Sequence, residues 1–173
     1  DQFVDRLSAV SIRDDTEKFA PFDIAPPPRP EFYGMGQSLY STAPDYLRFL
    51  RMILNKGQLD GHRILSKDAV SNMLQDHMNG LIFRTMRTIS PLTHDVVLPD
   101  GTVHGLASTI NVDDLPDKRS AGSQSWAGMC NTHFWLDPKQ DVAAVFMTQT
   151  LPFLDPPLMQ AFDAFEREVY ASL

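Results

Sequence analysis

The chain has 173 residues, 43% hydrophobic and 21% charged, with a net charge of −7 and a pI near 5.0. That length supports one domain with a core of its own, and the acidic balance argues against a nucleic-acid or anionic-membrane surface, which requires clustered Lys and Arg. The single cysteine, Cys130, excludes an internal disulfide, and no apolar run reaches the ~18 residues of a membrane span. The expectation is therefore a soluble protein; a single cysteine leaves the compartment open, with the cytoplasm slightly favoured. The chain opens on Asp1 with neither Met nor signal peptide, which suggests a cut, a fragment or a processed product.

Residues 1–33 read as an irregular, proline-rich lead-in. Its run Ala25-Pro26-Pro27-Pro28-Arg29-Pro30 can form neither a helix nor a central strand and is expected as an extended surface segment. The first helix is predicted over 43–56. Thr42 is its N-cap, Pro44 lies in the first turn, and Asp45 completes a capping-box-like pattern. Tyr46, Phe49, Leu50, Ile53 and Leu54 recur on one face, and Gly57 is the expected C′ residue. Asp60-Gly61 marks a small hairpin between Leu59 and Ile64-Leu65. Ser66 caps a second helix, predicted over 67–78 with Val70, Met73, Leu74 and His77 or Met78 buried, and Asn79-Gly80 stops it. Pro99-Asp100-Gly101 signals another hairpin, between Val96-Val97-Leu98 and Thr102-Val103.

A three-strand antiparallel meander is predicted over 105–149, with strands at Gly105–Val112, Ser125–Leu136 and Val142–Thr148. The last is a continuous apolar run that suits a central strand covered on both faces. A helix over 157–171, with Leu158, Phe162, Phe165, Val169 and Tyr170 on one face, is expected to pack on that sheet. The fold class is α+β: an antiparallel sheet of at least three strands with packed helices.

These pieces resemble one family. Gly36-Gln37-Ser38-Leu39-Tyr40-Ser41-Thr42-Ala43-Pro44-Asp45, Leu59-Asp60-Gly61 with Ile64-Leu65-Ser66, Ser125-Trp126-Ala127-Gly128, Thr132-His133-Phe134-Trp135-Leu136-Asp137-Pro138 and Val145-Phe146-Met147-Thr148-Gln149 are together similar to the C-terminal half of serine β-lactamase-like hydrolases. The pattern is closest to family VIII carboxylesterases and related fungal acyltransferases. It spans 32–173 apart from 80–103 and places residues 34–173 in the C-terminal portion of a β-lactamase/transpeptidase-like domain.

In that family a Ser-x-x-Lys serine is acylated, and a Tyr-x-Asn or Tyr-x-Ser tyrosine assists proton transfer. A third motif, Lys-Thr-Gly or Trp-Gly-Gly, lies on a core strand. The resemblance makes Trp126-Ala127-Gly128 that third motif. It implies a backbone oxyanion donor at Met129, to within one residue. Trp126 would wall the acyl pocket, and Gly128 would keep the backbone clear of substrate. Ala127 completes the substrate-binding stretch. Tyr33 is a further cleft candidate, whereas Tyr40 is expected to pack under the first helix.

The departures are as informative. No Ser or Thr has a Lys three residues on, and no Tyr is followed two residues later by Asn or Ser. Gly-x-Ser-x-Gly is absent as well. The resemblance therefore implies that the nucleophile lies outside this chain, in the N-terminal half of the same fold, supplied by the same gene or a second chain. It implies an ester or amide substrate and no cofactor, and it disfavours β-lactam hydrolysis because the Lys of Lys-Thr-Gly is missing. A non-catalytic ligand- or partner-binding domain and an acyltransferase are the alternatives. The five histidines show no zinc-ligand spacing, so no metal is expected. Cys130 reads as an inert buried thiol, with His133 on the opposite strand face.

Overall fold

The computed structural model describes residues 4–24, 31, 32, 34, 36 and 39–173. After a short 3₁₀ turn, Val4–Arg6, strands β1 (Ser11–Arg13) and β2 (Phe19–Pro21) form a hairpin. Helix α1 (Ala43–Leu54) is followed by the hairpin β3 (Gln58–Leu59)–β4 (His62–Arg63) and helix α2 (Lys67–Met73). The main sheet comprises β5 (Val103–His104), β6 (Thr109–Ile110), β7 (Gln124–Gly128), β8 (Thr132–Asp137) and β9 (Val142–Phe146), in that spatial order and antiparallel throughout. Strand β10 (Thr150–Leu151) pairs in parallel with β1, and helix α3 (Pro156–Ala171) closes the chain. The proline run at 25–30 lies outside the described residues.

The sheet is covered on both faces. Leu50, Met52 and Ile53 of α1 and Val70 of α2 pack on one face, against Leu136 and Phe134. Phe162 and Phe165 of α3 pack on the other, against Trp135, Ala144 and Phe146. Successive residues of a strand point to opposite faces, so Phe134 and Leu136 meet α1 while His133 and Trp135 meet α3.

Local chemistry sets the helix ends. Thr42 Oγ1 accepts the Asp45 N–H at 3.3 Å and donates to its carboxylate at 2.8 Å, and Ser66 Oγ accepts the Ala69 N–H at 3.0 Å. At the end of α1, the Gly57 N–H donates to Met52 O and the Lys56 N–H to Ile53 O. That is a Schellman ending with Lys56 as C′ at φ 53°, so Gly57 is the C″ residue and not the expected C′. A glycine is still needed there. Its φ is +89°, and a Cβ would overlap the Leu65 carbonyl.

Several expectations are corrected. Residues 1–33 are not irregular throughout, because β1 and β2 pair as a hairpin and β1 also pairs with β10. Helix α2 ends at Met73, short of residue 78, because tertiary donors take its last carbonyls: Leu106 N–H reaches Met73 O and the Gln124 amide reaches Leu74 O. His77 consequently sits beyond the helix and is exposed. The predicted strand Ser125–Leu136 is two strands, β7 and β8, folded at Met129-Cys130-Asn131. The Asn131 N–H donates to Gly128 O at 3.0 Å and Asn131 takes φ 56°, a three-residue hairpin loop with a left-handed final residue. Pro99-Asp100-Gly101 does turn the chain, but Val96 bridges to Met86 and Val103 pairs with Ile110, so no hairpin forms across it. The apolar strand β9 is covered on both faces as expected, yet among the described residues it ends the sheet and is not central.

Candidate active-site strand

Strand β7 is anchored at its base. Gln124 is 1% exposed; its Nε2 donates to Leu74 O at 2.9 Å and its Oε1 accepts from Ser108 Oγ. Those bonds fix the strand to the end of α2 and to the approach of β6. From there Gln124, Trp126 and Gly128 face the α1/α2 side, because Trp126 pairs with Phe134 and Phe134 stacks on Tyr46 of α1 at 5.2 Å. Ser125 and Ala127 face the α3 side. The structure thus brings Trp126, Gly128 and Met129 together at the far end of β7, whereas Ala127 can join them only through its backbone.

Each of the three is open. Trp126 is 43% exposed, its indole edge-on to the His104 imidazole at 5.2 Å and 88°. Gly128 has an ordinary φ, and a Cβ added there would come no closer than 3.9 Å to Thr132. Among the described residues nothing requires glycine at this position, although glycine weakens a strand. Met129 is exposed, and among the described residues its N–H donates to no acceptor. On the same face, between α1 and the sheet, is a cavity of about 130 Å³ walled by Tyr46, Phe49, Leu74, Phe134 and Leu136, with Ser108 and Gln124 as its polar members.

The remaining candidates separate. Tyr33 lies outside the described residues. Tyr40 is exposed and does not pack under α1, contrary to expectation, because Phe134 and Phe49 take up the Tyr46 side of that helix. Burial pushes the Cys130 thiol up from its ordinary value. His133 is buried on the α3 face, stacked on Phe162 at 4.5 Å; burial, with the Arg119 charge second, lowers its pKa to about 4. A neutral core histidine and a protonated thiol in a turn do not make a nucleophile pair. Among the described residues no group of three His, Cys, Asp or Glu could hold a metal ion, and no helix is long and apolar enough to cross a membrane. Sequence reading passed over Gln124, Ser108 and His104. A lone Gln or Ser carries no motif, and His104 stands in the sequence only as one of five histidines without zinc-ligand spacing.

The family model described as Beta-lactamase matches residues 9–166. Protein Rv1367c of Mycobacterium tuberculosis is 31% identical over 160 residues, covering 86% of this chain and 38% of the relative. Acyltransferase calJ of Penicillium decumbens is 22% identical over 148 residues, covering 82% of this chain and 34% of the relative. In fold, the chain is similar to unliganded simvastatin synthase (LovD) of Aspergillus terreus, with a TM-score of 0.77 at 18% identity over 99% of this chain and 44% of that one. EstCE1, described as a hydrolase with promiscuous acyltransferase activity, matches with a TM-score of 0.59 at 19% identity over 93% of this chain and 44% of that one. The chain therefore spans well under half the length of each. The match over 9–166 and the shared fold establish that this chain belongs to the Beta-lactamase family, with an α+β, β-lactamase-like fold.

Proposed function

We propose that the chain forms one wall of an acyl-enzyme cleft in a serine hydrolase, esterase-like in its chemistry, whose Ser-x-x-Lys nucleophile comes from residues outside these 173. The observation that carries this reading is the pair at the end of β7. Among the described residues nothing demands a glycine at Gly128, and the N–H of Met129 beside it has no acceptor. A substrate carbonyl laid along this edge meets no side chain at Gly128 and finds a donor at Met129. That donor would hold the oxyanion as the serine attacks. Trp126 would wall the acyl group, and the Ala127 backbone and Tyr33 would complete the substrate contacts. The substrate class is a small ester or amide. Transfer to an alcohol or amine acceptor instead of water uses the same parts and differs in how well the cleft excludes water. The names of the EstCE1 and calJ relatives accord with both outcomes.

The partner in this reading is the N-terminal half of the fold. Strand β9 supports it: an apolar strand, covered on both faces, that among the described residues ends the sheet and leaves its outer backbone edge for pairing. The test is turnover of a short p-nitrophenyl ester by this chain with and without the N-terminal half. The expected result is activity only with both, reduced at least tenfold by Trp126→Ala. Turnover by the isolated chain that survives Trp126→Ala but is lost with Cys130→Ala sinks the proposal.

The second reading is a non-catalytic ligand- or partner-binding domain; the cavity of about 130 Å³, below the roughly 300 Å³ of ordinary ligand pockets, limits a ligand there to a very small one. That reading expects a stable monomer without any further segment. An incomplete fold, with β9 open and Leu39, Tyr40 and Leu106 exposed, should dimerise, aggregate or melt low. Size-exclusion chromatography and a thermal melt separate the two.

A further inference from the structure

We propose that His104 is a positioning residue for Trp126: its imidazole sets the angle of the indole and so the width of the cleft wall. The inference rests on the reading of Trp126 as that wall, but the contact itself can be tested in the isolated chain.

The argument starts from how firmly His104 is held. Its carbonyl accepts the His77 N–H at 2.9 Å, and its strand pairs it with Thr109. The next residue, Gly105, is pressed against α2, where a Cβ would fall 2.5 Å from Met73 O, and its N–H donates to Ser108 O at 2.9 Å. The ring is fixed as well. His104 Nδ1 lies within hydrogen-bond distance of Gly105 O, and a carbonyl only accepts, so Nδ1 carries the proton and donates. Phe83 also lies against the imidazole, with centroids 5.7 Å apart and the rings tilted by 40°, and is itself tied down by its N–H bond to Thr102 O at 2.8 Å.

The ring presented to Trp126 is therefore immobilised at its backbone, at one ring nitrogen and by Phe83. The indole meets it edge-on, the arrangement that aromatic quadrupoles favour. Among the described residues His104 is the aromatic ring that Trp126 meets, and 43% of the residue is open to solvent. Without the imidazole edge the indole would sample other rotamers, and the wall would lose its shape.

The chain has two tryptophans, and Trp135 is fully buried, so collisional quenching by acrylamide reports on Trp126. His104→Ala is expected to raise the quenching constant by about twofold and to weaken the near-ultraviolet circular dichroism of the ring pair. His104→Phe, which keeps a flat ring against Phe83 but loses the Nδ1 bond, should give a quenching constant between those of the wild type and His104→Ala. Trp126→Phe should remove the quenchable component. An unchanged constant in His104→Ala, a constant in His104→Phe as high as in His104→Ala, or quenching that persists in Trp126→Phe each overturns the proposal. These readouts need no catalysis, so failure of the hydrolase reading in the ester assay would leave them standing, and their failure would leave that assay unaffected.

Discussion

Asn131 concentrates two requirements in one residue. It takes the left-handed φ of 56° that the β7–β8 loop needs, a conformation asparagine tolerates better than most side chains. Its fully buried amide donates to Thr150 O at 2.9 Å and Pro152 O at 2.8 Å and accepts the Leu154 N–H at 2.7 Å, stitching the segment before α3 to the hairpin. Asn131→Ala should cost about 3 kcal/mol in urea denaturation, from lost bonds and strain together, and Asn131→Gly clearly less strain for the same lost bonds. An equal cost for the two would show that the backbone conformation contributes nothing. His133 gives a pH signature. Its folded pKa of about 4 lies below the ordinary 6.5, so the unfolded chain takes up a proton that the folded chain refuses. Its contribution is complete above pH 6.5 and is lost as pH falls towards 4, by about 3 kcal/mol at most. Stability measured against pH should fall across this window, and His133→Phe should flatten the fall. Neither role shows in the sequence. Asn131 carries no motif there, and His133 in an alternating strand gives no sign of which neighbours bury it.

At the scale of elements, what could be read was what short-range chemistry decides. Thr42 and Ser66 cap their helices through their own hydroxyls, and Asp60-Gly61 makes its turn with both residues at positive φ. What could not be read was decided by partners distant in the chain. The end of α2 depends on donors from Leu106 and Gln124. The break between β7 and β8 depends on Met129-Cys130-Asn131, which contains neither Gly nor Pro and continues the strand pattern. The candidate site was legible to the same extent: its strand and the Trp126-Ala127-Gly128 step stood out, but the His104 contact joins residues from separate strands. Gly57 tests the element scale directly. Gly57→Ala combines a φ of +89° with overlap on Leu65 O and should cost about 2–4 kcal/mol, whereas Gly61→Ala, at φ +83° with open space around it, should cost about 1 kcal/mol. Comparable thermal shifts for the two would remove the packing part of the argument.

For the molecule as a whole, α3 is held by charge as well as by rings. Glu166 is 1% exposed and lies 2.8 Å from Arg119, and Asp137, fully buried, accepts from the Ser120 N–H and the Tyr170 hydroxyl. Burial, then the Asp137 charge, pushes that phenol's pKa upward, which keeps the hydroxyl protonated as the donor. The loop at 113–122 is thereby tied to the last helix. The opposite tie has a consequence in time. β1 pairs in parallel with β10, and Arg13 clamps the Asp155 carboxylate at 3.0 Å through two nitrogens, 142 residues along the chain. During synthesis at roughly 5–20 residues per second, Arg13 is made about 10–30 s before its partner exists. The first hairpin must wait, unlatched, until residues 150–155 have been made. Arrested nascent chains truncated before residue 150 should show this segment cleaved by protease, and chains that extend through residue 173 should show it protected.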